Sequence, residues 1–223
     1  MTAVNQPTAP GAKVFQGLTR PAVVSAILFM LVTGLGYPMA TTGVAQVLFP
    51  TQAHGSLIVR EGTTVGSAVI GQNFTKPDYF HPRPSETQGT DPANASQTVA
   101  QPYNAALSAG SNYGPTNKKL IAEVTARALA YRNENHLSPT ALVPVDAVTA
   151  SASGLDPDIS LANAMEQVKR VAQARGLSEA RVQTLVDEQS TPRQLAVLGD
   201  PRVNVLQLNL ALDALVAQRP AAQ

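Results

Sequence analysis

One stretch of this chain shows no polar period at all. Residues 21–35 read P-A-V-V-S-A-I-L-F-M-L-V-T-G-L, without a charge. Crossing the ~30 Å hydrocarbon core of a bilayer takes roughly 20 mostly apolar residues in a helix. Residues 17–38 supply that length, opening around Arg20 and Pro21. Apolar character resumes at Val44, Val47, Leu48 and Phe49, so a longer reading carries the helix past a kink at Pro38 to 49. Ser25 and Thr33 suit such a helix because a hydroxyl can return to a carbonyl of the preceding turn. Tyr37 stands where the chain meets the headgroups. Gly34, Gly36 and Gly43 leave room for a close neighbour helix. No polar face recurs at helical spacing, which argues against a helix buried in a soluble core.

Past residue 50 the pattern becomes that of a folded domain. Residues 56–59 and 65–70 are short β runs, and Glu61 and Gly62 between them signal the turn of a hairpin. Residues 74–115 are rich in Pro, Gly, Ser, Asn and Thr; a loop of this length is either functional or disordered. Leu120, Val124, Ala128 and Tyr131 form one face of a helix that opens at Pro115 or Thr116 and ends by Asn135 and Pro139. Residues 141–153 are irregular, with Val143 and Val145 extended. Ser160 caps a helix with the face Leu161, Met165, Val168 and Ala172, closed by Gly176. Ser178 caps another through Val182, Leu185 and Val186, stopped by Pro192. Residues 205–217 carry both a two-residue and a helical period. Their length favours a helix, with Asn204 as its cap.

The expected class is α+β: one N-terminal transmembrane helix, then a single helix-dominated domain with a small hairpin or sheet. Its parts are a tail at 1–16, the span at 17–38, a domain at 50–217 and a flexible end at 218–223.

Charge gives the span a direction. Lys13 and Arg20 precede it, no further Lys or Arg appears until Arg60, and the first acidic residue is Glu61. Basic residues mark the cytoplasmic side, so the tail is expected inside and the domain outside a cell membrane crossed once. A cleaved leader competes, with its apolar region at 22–35 and Gly43, Val44 and Ala45 as the cleavage site. Both readings export the domain. The net charge of +1 gives no nucleic-acid footprint. There is no cysteine, which excludes disulfides and thiol chemistry. With no Trp and abundant Ala, the core must be built of small aliphatic side chains.

Catalytic signals are missing. His54, His81 and His136 form no metal-binding pair, and there is no phosphate-binding glycine loop. Four segments stand out. Tyr79, Phe80, Arg83, Pro84 and Ser85 make a stiff loop with interface-type anchors; it either faces a partner or folds onto its own core. Ser111, Asn112 and Gly114 precede a helix, where an anion could sit but a simple cap is the plainer account. Asp146, Thr149, Ser151, Ser153, Gly154 and Asp156 cluster hydroxyls and carboxylates. They offer oxygen ligands for a cation, or bonds to amides in a tight loop. Residues 202–213 read as a core helix.

In this order behind one span, these segments resemble the C subunit of the Kdp potassium-transporting ATPase. The matching text includes G-Y-P at 36–38, G-S-L-I at 55–58, G-Q-N-F at 71–74 and Y-F-H-P-R-P-S at 79–85. It continues with G-S-N-Y-G-P-T-N at 110–117, V-D-A-V-T-A-S-A-S-G-L-D-P at 145–157, R-V-A-Q-A-R at 170–175 and V-N-V-L-Q-L-N-L-A-L-D at 203–213. Asp158 and Tyr113 depart from the common pattern of His and Leu. The resemblance implies a non-catalytic, membrane-anchored subunit. Its implied partners are a channel-like potassium-binding subunit, a P-type ATPase subunit and a very small accessory subunit, besides the bilayer. It also implies a catalytic chaperone that raises the ATPase subunit's affinity for ATP; no residue can be assigned to nucleotide. ATP is cytoplasmic, whereas the one-sided charge places this domain outside.

Overall fold

The computed structural model describes residues 11–217, so the expectations for residues 1–10 and 218–223 lie outside the described residues. The chain divides into two compact units, with the boundary between Gly55 and Ser56.

The first unit is helical. Helix α1 (Gly11–Leu31) passes through a π-helical turn (Val32–Gly36) into α2 (Tyr37–Leu48), and a short α3 (Pro50–Ala53) follows. The candidate span, Gly17–Leu48, has 32 residues, about 48 Å at ~1.5 Å per residue. Its side chains are exposed, so the length is not a buried soluble core helix. The π turn explains how the helix continues past Pro38. Proline has no N–H for the i→i−4 ladder and its ring crowds the carbonyl one turn back. Widening the preceding turn, with the Tyr37 N–H reaching the Val32 carbonyl, absorbs both problems. The hydroxyls behave as expected in lipid: Ser25 donates to Ala22 O at 3.0 Å, Thr33 to Phe29 O at 2.6 Å and Thr41 to Tyr37 O at 2.9 Å.

The second unit mixes helices with three small antiparallel sheets. Strands β1 (Leu57–Arg60) and β2 (Thr63–Ser67) form the expected hairpin. Both turn residues have positive φ, Glu61 at 48° and Gly62 at 77°, the twist that a two-residue hairpin requires. The second strand ends at Ser67 rather than 70. Three features differ from expectation. Within 74–115, β3 (Gln88–Asp91) and β4 (Asn94–Ala100) make a hairpin. The segment 145–148 is a helical turn, α5 (Val145–Val148), so Val145 is not extended. A three-stranded sheet in the order β5-β7-β6, from β5 (Asp158–Ser160), β6 (Ser190–Thr191) and β7 (Arg202–Asn204), also went unforeseen.

Helix caps fall largely where the sequence puts them. Helix α4 (Lys118–Glu134) starts two residues after Thr116, the later of the two expected openings, with the Asn117 side chain accepting from Lys119 N at 2.8 Å. Ser160 caps α6 (Leu161–Arg175) through Asn163 N, and Gly176 closes it at φ 61°. Ser178 caps α7 (Glu179–Glu188), and Asn204 accepts from Gln207 N at the start of α8 (Val205–Ala217).

The core lies among β5, β7, α6, α7 and α8: Ile159, Ala164, Val168, Val171, Ala172, Val182, Leu185, Val186, Val203, Val205, Leu208 and Leu212. Apart from Phe80 these are aliphatic, as the composition requires. Phe80, fully buried, enters from the proline-rich segment, and its burial contributes about 1.5–3 kcal/mol.

Candidate functional site

Three irregular segments of the second unit meet in one polar junction: 82–87, 101–110 and 146–156. Arg83 Nη1 donates to Asp156 Oδ2 at 2.9 Å, and Nη2 reaches the Thr149 and Ala150 carbonyls at 3.4 and 3.5 Å. The Pro84 carbonyl accepts from Ser151 N at 3.2 Å. Ser85 Oγ donates to Gly154 O at 2.8 Å and accepts from Tyr103 N at 3.0 Å. Tyr103 closes the ring by donating its hydroxyl to Arg83 O at 2.8 Å. Burial, reinforced by the Asp156 charge, holds the Tyr103 phenol above its ordinary range, so it stays a donor.

Gly154 explains why this packing needs its sequence. Its φ is 69°, and a Cβ there would lie 2.4 Å from Thr87 Cγ2 and 2.6 Å from the Ala109 carbonyl. Only glycine allows the two backbones to approach this closely. Gly110 performs the same role against Ala152 O, at 2.6 Å.

Asp146 does not point into this ring. Its carboxylate accepts from Ser160 N at 2.7 Å, Ser160 Oγ at 2.8 Å and Asn163 Nδ2 at 3.0 Å. It thus ties α5 to the capped start of α6 and satisfies amides. Thr149 Oγ1 returns to Val145 O, and Ser153 Oγ accepts from Leu155 N. Among the described residues no group of three His, Cys, Asp or Glu side chains could hold a metal ion. The junction also contains orphans: the buried Ser151 Oγ and Arg83 Nε have no hydrogen-bond partner in the structure.

Tyr79 and Phe80 sit at the other end of the proline-rich loop, held by the helices. Asn209 on α8 pairs with Phe80 N at 2.9 Å and Phe80 O at 3.0 Å. Gln167 on α6 does the same for His81, at 2.7 and 3.2 Å. Arg170, 4% exposed, donates to Tyr79 O, Asn135 Oδ1 and Gln167 Oε1. The Tyr79 hydroxyl reaches Asp213 Oδ2 at 3.1 Å, and the Arg175 guanidinium lies 4.5 Å from the Tyr79 ring centre. The loop therefore folds onto its own core at Phe80, while its Arg83 end reaches the surface.

Ser111, Asn112 and Gly114 stand apart from the junction. Asn112 (φ 53°) donates to Gly110 O, and Gly114 O accepts from Asn117 N, the arrangement of a turn leading into a helix cap. The anchor residues Arg20, Pro21, Gly34, Gly36 and Tyr37 belong to the first unit, all exposed. A Cβ at Gly34 would meet nothing within 4 Å. Tyr103, Thr87, Gln167, Arg170 and Asn209 were not anticipated. Arg170 and Asn209 lay in text that carried the resemblance without being singled out, and Tyr103 stood as an isolated aromatic in polar text.

The family of K+-transporting ATPase c chains, KdpC, matches residues 19–214. The chain is 58% identical over 195 residues to the potassium-transporting ATPase KdpC subunit of Rhodopseudomonas palustris strain BisB18, covering 87% of this chain and 96% of that one. Identity to the subunit of strain BisB5 is 56% over the same length and coverage. Identity to that of a Methylorubrum extorquens strain is 55% over 193 residues, 86% of this chain and 94% of the relative. A match of this extent, spanning the apolar helix as well as the mixed domain, makes the chain a member of the KdpC family, an accessory subunit of the K+-transporting ATPase.

Proposed function

We propose that this chain is the single-pass, non-catalytic C subunit of an ATP-driven potassium importer, with its N-terminus cytoplasmic and residues 50–217 extracytoplasmic. The observation that carries the direction is the charge distribution. Lys13 and Arg20 lie before the apolar run, and no Lys or Arg lies between it and Arg60. The exposed faces of Gly17–Leu48 suit lipid and neighbour helices, with Gly34, Gly36 and Gly43 permitting close approach. ATP hydrolysis belongs to a P-type ATPase subunit, and the channel-like potassium-binding subunit is the partner for the anchor. The domain stands over the ion entrance, with the surface around Arg83, Asp146 and Asp156 turned to that partner.

Chaperone action on ATP affinity, on this reading, is transmitted through subunit contacts, because the domain and ATP lie on opposite sides. The experiment is detergent extraction with a tag on this chain. Co-purification of the other subunits, with residues 1–45 retained in the mature chain, supports the proposal. Recovery of a lone soluble domain lacking those residues returns the exported-protein reading. Measuring the ATPase subunit's ATP affinity with and without this chain then tests the chaperone role.

A further inference from the structure

Strand β1 starts close behind the anchor and carries aliphatic side chains that the domain does not bury. Leu57 and Val59, two apart and so on one face of β1, are 55% and 58% exposed. The opposite face is covered. Ile58 pairs with Gly66, and a Cβ at Gly66 would come within 2.7 Å of Leu206 Cδ2 on α8. Val69, 60% exposed, stands in the turn after β2 beside the start of β1, where Ala68 N donates to Ser56 O at 2.9 Å. The hairpin is fastened to the domain, with Arg60 Nη2 donating to Leu210 O at 3.0 Å and Gln72 Nε2 to Val65 O at 2.7 Å. Its exposed aliphatic side chains therefore keep a fixed place.

The anchor sets what lies beside them. From Arg20 to Leu48 the helix rises about 42 Å at ~1.5 Å per residue, against about 40–45 Å for a bilayer with its headgroups. With Arg20 in the inner headgroup layer and an ordinary tilt of about 20°, Leu48 emerges in the outer one. A shorter span ending at Tyr37 would leave Val44, Val47, Leu48 and Phe49 in water, and all four are more than half exposed. Leu57 follows Phe49 by eight residues, four of them coiled in α3, which keeps it within about 20 Å of the helix end. The hairpin is also neutral. Arg60 and Glu61, together at its turn, are the charged residues of 56–70, so anionic headgroups do not repel it.

We propose that the outer face of the β1–β2 hairpin, with Leu57, Val59 and Val69, rests in the outer headgroup layer of the bilayer that holds the anchor. The contact continues the lipid-facing surface of the span. Its depth is limited, because a two-stranded sheet has unpaired backbone groups at its edges and these exclude it from hydrocarbon. A second membrane contact fixes the tilt of the domain, which α3 alone leaves free. The proposal rests on the single-pass reading above.

The test uses the full chain with its partner subunits, in phosphatidylethanolamine and phosphatidylglycerol vesicles whose acyl chains are brominated near their headgroup ends. The chain has no cysteine, so Leu57→Cys, Val59→Cys and Val69→Cys each place one fluorophore. Each label is expected to lose its fluorescence to bromine and to keep it against aqueous iodide. Leu142→Cys, 91% exposed in the loop after α4, is expected to do the reverse. Hairpin labels quenched by iodide alone, or shielded from both quenchers by protein, overturn the proposal. A Leu142 label quenched by bromine like the hairpin's overturns it too, since the hairpin face would then be in no way distinct. Phe29→Cys, inside the span, separates the two failures: if its label also escapes bromine, the single-pass reading fails instead.

Discussion

Asn209 replaces a β-strand for Phe80. Its side-chain amide donates to the Phe80 carbonyl at 3.0 Å and accepts from the Phe80 N–H at 2.9 Å, both fully buried. A loop residue cannot enter a core unless its backbone groups are satisfied there, because an unpaired buried amide costs about 1–3 kcal/mol. Asn209→Leu preserves the apolar volume but removes both partners. The expected loss is about 2–5 kcal/mol, read as a lower urea midpoint of the domain in the detergent-solubilised chain. Asn209→Asp keeps an acceptor for the N–H but buries a charge that cannot donate to the carbonyl, so it too is expected to destabilise. A midpoint unchanged in both variants sinks this account.

Gly154 and Gly114 should respond very differently to the same change. Gly154→Ala places a Cβ 2.4 Å from Thr87 Cγ2 and 2.6 Å from a backbone carbonyl, at φ 69°. The backbone has to move, and a loss of about 2–4 kcal/mol follows. Gly114→Ala meets nothing within 4 Å and needs no left-handed backbone, so its effect should stay within about 0.5 kcal/mol. Thermal unfolding of the two variants side by side checks the contrast.

Asp146 offers a test of the cation reading of its loop. All three of its bonds go to the start of α6, through Ser160 and Asn163. Asp146→Ala should therefore lower stability by about 1–3 kcal/mol, without creating or removing any dependence on added calcium or magnesium. A midpoint that rises with calcium in the unaltered chain, and not in the variant, would restore the ligand role.

The elements with strong local chemistry were legible before the structure. Ser160, Ser178, Gly176 and Asn204 mark helix ends because each supplies a bond or a conformation that a helix terminus needs. The hairpin at Glu61 and Gly62 was legible for the same reason. The β3–β4 hairpin was not: its strands read Q-G-T-D and N-A-S-Q-T-V-A, with Val99 the one large apolar side chain, and β4 is exposed throughout. Without a buried face there is no alternation to detect. The strands β5, β6 and β7 have two or three residues each, too few to show a period. Of the candidate loops, sequence found the segments but not their joining. The contact of 146–156 with 82–87 and 101–110 depends on Gly154 lying against Thr87 and Ala109 and on Gly110 lying against Ala152, which no linear pattern records. The exposed turn at 194–198 drew no expectation, because a short apolar run in the sequence carries no mark of exposure.

His81 ties the proline-rich loop to α4 in a pH-dependent way. Its Nδ1 lies 3.1 Å from Glu134 Oε1 and its Nε2 2.9 Å from Lys76 O. The hydrogen bond from His81 holds the Glu134 carboxyl below its ordinary value, against the opposing effect of burial. A carboxyl lowered in the folded state stabilises above its unfolded value of 4.5, and the contribution disappears as pH falls through the lowered folded value. Glu134→Gln should therefore flatten the acid limb of the stability profile below about pH 5 and leave its shape at higher pH largely unchanged. Urea midpoints of the two proteins from pH 3 to 7 give the comparison, and parallel profiles would exclude the link.

Arg83 has both an internal partner and a place at the surface, and a single substitution confounds them. Arg83→Glu sets two carboxylates together where Arg83 and Asp156 now lie 2.9 Å apart, so the domain itself should weaken. The exchange Arg83→Asp with Asp156→Arg restores opposite charges. In a double-mutant cycle the pair should show a coupling of about 0.5–3 kcal/mol, discounted toward the lower end because both side chains remain partly in solvent. Stability and assembly then part company. If Arg83 serves only the fold, the exchanged pair recovers the unfolding midpoint and co-purification together. If Arg83 also meets a partner subunit, the midpoint returns while co-purification stays low, because the positive charge has moved to the other side of the junction. The second outcome is expected, and measuring both quantities on the same preparation decides between them.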